Sequence, residues 1–147
     1  MKSKILLTLF IFFGCVTHLM AQSLDDQSKI LQKCIELPAL QTHYPRTDNG
    51  TLKPLYVMQH AVSFPGNLNV TKNGKPVAFK SKEEVKTNGI SAFFLFREFK
   101  VTQNSAQVDF AYYYNFQGTY EEFVPVTLEL QKTGNTWSIT QSKIQEK

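Results

Sequence analysis

The chain has 147 residues, of which 42% are hydrophobic and 19% charged, and its formal charge is +4 at pH 7. That composition excludes a disordered or collagen-like chain, and a nucleic-acid binder carries a stronger, more clustered positive surplus. Once the first 21 residues are set aside, 126 remain with a surplus of +2, which is one domain with enough length to bury a core without staples.

Lys2 and Lys4 precede an apolar run from Ile5 to Phe13 that only Thr8 interrupts. A membrane span needs about 20 apolar residues, so this shorter stretch reads as an export signal. Ala21 followed by Gln22 offers a cleavage site, which divides the chain into a signal peptide over 1–21 and a single domain over 22–147. The leader resembles those of Gram-negative bacteria, and the destination is periplasmic or secreted. An alternative stays open at Phe12-Phe13-Gly14-Cys15, which resembles a bacterial lipobox. Lipid on Cys15 would anchor the chain to a membrane, and only in that case is membrane contact expected. Without Cys15 the remaining cysteine is Cys34, so no internal disulfide is available and packing must hold the fold. Cys34 falls on the apolar face of a helical pattern, where a thiol behaves as a small hydrophobe.

Ser23-Leu24-Asp25-Asp26 reads as a helix start, with a capping hydroxyl and two acids at the positive end of the helix dipole. Leu24, Ile30, Leu31, Cys34 and Ile35 then form one stripe at helical spacing, and Pro38 stops the helix after Leu37. Residues 41–54 read as a loop, with two prolines and Asn49-Gly50. A weakly alternating stretch from Leu55 to Phe64 follows, and Asn73-Gly74 between short alternating runs signals a hairpin. Residues 81–86 read as a single capped turn.

Four strands with short turns fill the rest. Phe93 to Val101 is apolar on both faces in its first half. Val108, Phe110, Tyr112, Tyr114 and Phe116 then point one way, with Asp109 and Tyr113 on the opposite face. Val124, Val126, Leu128 and Leu130 share a face opposite Phe123, and Trp137 and Ile139 open the last strand. Consecutive strands of this kind make an antiparallel meander. Pro125 has no N–H to donate, so it marks a bulge or a free edge. The expected fold is α+β, with an N-terminal helix packed on a curved antiparallel sheet.

The blocks Ser105-Ala106-Gln107-Val108-Asp109-Phe110, Val126-Thr127-Leu128-Glu129-Leu130 and Gly134-Asn135-Thr136-Trp137-Ser138-Ile139 resemble the C-terminal strands of small exported bacterial proteins. With the helix before them, the order of elements resembles the cystatin-like and nuclear-transport-factor-2-like folds. The resemblance covers about the last third of the chain and implies no single activity, because members range from isomerases to inhibitors and binding modules. It does imply self-association through the sheet face.

Candidate chemistry is sparse. An isomerase or hydrolase without a cofactor would use a tyrosine donor beside a carboxylate base. Tyr112 and Tyr114, joined by Tyr56 and His60, are the residues placed to hold a small hydrophobic ligand, but Asp109 faces away from them. No spacing suits a metal, no cofactor motif is present, and no nucleophile elbow surrounds a serine. Lysines 72, 75, 80, 82 and 86 form a basic stretch diluted by Glu83 and Glu84, read as a solvated hairpin and turn. Surplus aromatic residues are the informative anomaly: Phe94, Phe96, Tyr113 and Phe123 are the candidate interface. The expected role is binding without chemistry, with another protein or a second copy as partner. A small hydrophobic ligand, a cofactor-free enzymatic role and an immunity or inhibitor role toward an exported enzyme are the alternatives.

Overall fold

The structure, a computed structural model, describes residues 23–119 and 121–145. The leader, its cleavage site and Cys15 lie outside the described residues.

Helix α1 runs Leu24–Ile35, and the Ser23 hydroxyl accepts the Asp26 N–H at 3.0 Å. This bond satisfies one of the free donors of the first turn, where Asp25 and Asp26 also complement the helix dipole. Ile30, Leu31, Cys34 and Ile35 are buried, whereas Leu24 is 43% exposed and does not belong to the buried stripe. A 3₁₀ turn at Pro38–His43 follows, where the sequence suggested that Gln41 already begins a loop.

Eight strands follow: β1 (Tyr56–Gln59), β2 (Thr71–Lys72), β3 (Lys75–Pro76), β4 (Ala78–Ser81), β5 (Phe93–Val101), β6 (Ser105–Tyr114), β7 (Glu122–Thr133) and β8 (Thr136–Ile144), with helix α2 (Lys82–Thr87) between β4 and β5. Six of them make one sheet in the order β4-β1-β5-β6-β7-β8, and β2 and β3 form a separate hairpin. Asn73 and Gly74 at φ 50° and 74° turn that hairpin, the positive-φ pair that matches the twist of its flanking strands. The last four strands are the antiparallel meander that the alternation requires. The other half of the sheet departs from it: β1 is only four residues long and runs parallel to both β4 and β5. The fold is therefore α+β with a mostly antiparallel sheet.

Two register shifts bend the meander. One lies between Phe96 and Glu98, so that Phe96 and Phe99 both reach the side of α1, and the other lies at Glu129/Leu130. Extra residues of this kind increase local twist. Pro125 sits at neither shift. It pairs with Ala111 inside β7, and its carbonyl accepts the Gln145 N–H at 3.1 Å. Its nitrogen faces the same way as that carbonyl, toward the point where β8 runs out, so little ladder is lost.

The inner face packs the main core. Phe94, Phe96, Phe110, Tyr112, Leu128 and Trp137 are each at most 1% exposed there, and every such side chain contributes about 1.5–3 kcal/mol of burial. Asp26 fastens α1 over this core. It accepts Trp137 Nε1–H at 2.8 Å and Lys132 Nζ–H at 3.0 Å. Gln32 adds a second fastening, exchanging hydrogen bonds of 2.8 and 3.1 Å with the backbone of Thr71.

Candidate functional site

The space between α1 and the sheet is filled. Tyr112 lies 4.6 Å from Phe94 and 5.0 Å from Tyr44, ring centre to ring centre. Tyr44 donates its hydroxyl to the Ile35 carbonyl at 2.6 Å, while the Tyr112 hydroxyl is buried with no hydrogen-bond partner among the described residues. Burial pushes both phenols well above their ordinary range, and it does the same to the fully buried Cys34 thiol. Since the thiolate is the nucleophile, Cys34 is held in its unreactive form. No carboxylate hydrogen-bonds to either of these tyrosine hydroxyls. Asp109 is on the outer face, paired with Arg97 Nε at 3.0 Å.

The four ligand-binding candidates are not brought together. Tyr112 is inside the core, and Tyr114 stacks on His43 at 4.4 Å at the end of the same inner face. Tyr56 belongs to the outer face, half-buried against a second apolar cluster, and His60 is exposed where β1 ends. The interface candidates divide likewise. Phe94 and Phe96 point inward and are sealed in the main core, so no partner reaches them. Tyr113 and Phe123 do lie outward, half-buried and stacked on each other at 5.1 Å. Consecutive strand residues alternate faces, so the pairing of Phe94 with Tyr112 and of Phe93 with Tyr113 sends the two sets apart.

The outer face carries the cavity that the sequence does not disclose. Met58 from β1, Val85 from α2 and Phe93 from β5 form a small buried cluster, with Leu95, Tyr113 and Phe116 packed around it. Helix α2 forms because Ser81 and Glu84 make a reciprocal capping box: Ser81 Oγ accepts the Glu84 N–H at 3.1 Å, and Glu84 Oε2 accepts the Ser81 N–H at 2.8 Å. On the other side, the Phe116 N–H bonds to the Ser91 carbonyl at 2.8 Å, and its ring meets Phe93 edge-on at 5.4 Å. Helix and loop cover the face only in part. Between them lies a groove of about 590 Å³, floored by Met58, Phe93, Leu95 and Tyr113.

The polar groups of the groove are unevenly placed. His60, Lys82 and Lys86 line it on the β1 and α2 side, and Glu121 lines it on the loop side. Desolvation and the negative charge of Glu121 raise the Tyr113 phenol, with Arg97 acting in the opposite sense. Among the described residues there is no group of three or more His, Cys, Asp or Glu side chains able to hold a metal ion. No helix among the described residues is long and apolar enough to cross a membrane.

Comparison with protein-family models, with curated proteins and with solved structures finds no match.

Proposed function

We propose that this is an exported binding domain that acts without chemistry, and that it binds through the groove on the outer face of the sheet. The observation that carries this reading is the contrast between a filled inner face and an outer groove of about 590 Å³ with an apolar floor. Small-molecule sites occupy about 300–1,000 Å³ and are mostly apolar with a few polar groups. The helix-then-meander order also supports kinship with the cystatin-like and nuclear-transport-factor-2-like folds, although β1 and its parallel neighbours are a departure from the sequence expectation. The groove of this chain lies on the face away from α1.

N-phenyl-1-naphthylamine, a neutral dye that fluoresces in apolar surroundings, tests the reading. It binds the protein, and Leu95→Lys weakens that binding at least tenfold while Leu24→Lys, on the exposed start of α1, leaves it unchanged. Absence of dye binding, or indifference to Leu95→Lys, contradicts the proposal. The half-buried Tyr113–Phe123 stack supports a second reading, self-association through the same face. In that case Tyr113→Lys with Phe123→Lys lowers the molecular mass measured by light scattering, and an unchanged mass excludes the surface.

A further inference from the structure

The groove has a chemical polarity that narrows its occupant. The parallel register sets Gln59 beside Ser81, so the next residues, His60 and Lys82, leave the sheet side by side. Lys86 follows Lys82 by four positions on α2, which puts both ammonium groups on one face of the helix. Three nitrogen-bearing side chains, one following β1 and two on α2, thus line one side of an otherwise apolar trough. Neither Lys82 nor Lys86 has an ion-pair partner among the described residues, in contrast to Lys80, which is paired with Glu84 at 3.3 Å. Glu84 itself is further engaged in the cap of α2, and Glu83, the other acid of that helix, is exposed and not among the residues lining the groove.

The acid that does line the groove, Glu121, stands on the loop side. It disfavours a negative group at that side and leaves the α2 side as the attractive one. An occupant matching this arrangement has an apolar body for Met58, Phe93, Leu95 and Tyr113 and one anionic group for Lys82 and Lys86. A neutral hydrocarbon leaves the lysines unused, and a strongly charged ligand leaves the apolar floor unused.

Building on the proposed binding groove, we infer that its ligand is a small amphipathic carboxylate, seated with its anionic head at Lys82 and Lys86 and its apolar body along Phe93 and Tyr113. The lysines act as point charges on flexible stems. They are exposed and open to screening, so their contribution is modest and falls with salt.

Displacement of N-phenyl-1-naphthylamine by decanoate, below its micellar range, and by 1-decanol separates the two claims. Both chains reach the same floor, but decanoate displaces the dye at about fivefold lower concentration at low salt, as expected for a few surface charge contacts. In Lys82→Gln with Lys86→Gln that ratio falls to near one while 1-decanol is unchanged, and 0.5 M salt reduces the ratio in the unaltered protein. Equal displacement by the two ligands, or a ratio insensitive to the lysine changes, overturns the carboxylate assignment and leaves the groove standing. Failure of the dye and both ligands to bind overturns the groove and the assignment together. The two lysines are exposed and outside both apolar clusters, so an unaltered thermal midpoint verifies that the variant is folded.

Discussion

The two faces of one sheet differ in how they are covered. Helix α1 is 12 residues long, and with the segment from Leu37 to Val77 it buries the centre of the inner face, leaving only rim residues such as Val101, Tyr114 and Ile144 half-buried. The outer face has only the six residues of α2 and the turn around Phe116, and Leu95 and Tyr113 stay half-buried. Both faces are built from the same aromatic, alternating strands, so apolar character alone does not decide whether a surface becomes core or site. The length of chain available to lie over it does.

Truncations to alanine on the two faces sharpen this contrast. Phe110→Ala removes a ring that is 0% exposed beneath α1, and the loss measured by urea unfolding is about 3–5 kcal/mol. Leu95→Ala on the outer face removes a side chain that already touches solvent, and the loss there is about 1 kcal/mol. Comparable losses at the two positions would mean that the outer face is as tightly covered as the inner one.

Asp26 gives the next largest effect. Desolvation pushes its carboxyl up, but the hydrogen bonds from Trp137, Lys132 and Ser23, with the charge of Lys132, outweigh this and hold it below the ordinary carboxylate range. Asp26→Ala leaves the Trp137 N–H and the Lys132 ammonium unpaired and costs about 2 kcal/mol. Because the folded-state value is depressed, the stabilisation is complete above the unfolded value, near pH 4, and fades as pH falls through the folded value. In Asp26→Asn that acid-side decline is smaller, as read from thermal midpoints between pH 6 and pH 2.

The smallest effect has the opposite sign. Tyr112→Phe keeps the ring and removes a buried hydroxyl that has no partner among the described residues. An unmade hydrogen bond of this kind is costly, so the variant is more stable by up to about 1 kcal/mol in the same unfolding measurement. A clear loss of stability instead would place a bonding partner at that hydroxyl.

The sequence made the meander legible, because Val108, Phe110, Tyr112 and Tyr114 recur at every second position, Val124 to Leu130 alternates without a break, and Gly134-Asn135 turns the chain between β7 and β8. Helix α1 was legible from its stripe and its cap. The parallel pairing of β1 was not, since a four-residue strand has no local turn to specify its partner. Phe94 and Phe96 illustrate a different limit. A run of four apolar residues fits either phase of a strand, and only the opposition of Phe94 to Tyr112 settles which pair turns inward. The groove was hidden for a related reason. Its floor and walls come from β1, α2, β5, β6 and the turn after β6, and no spacing along the chain announces that Met58, Val85 and Phe93 meet.

Amide chemical shifts recorded while N-phenyl-1-naphthylamine is titrated into the protein test most directly that the outer face is the open one. The account predicts shifts concentrated at Met58, Val85, Phe93, Leu95 and Tyr113, with Tyr44, Phe94 and Tyr112 undisturbed. Shifts centred on Tyr44, Phe94 and Tyr112 would show that the inner face opens to ligands, and would contradict it.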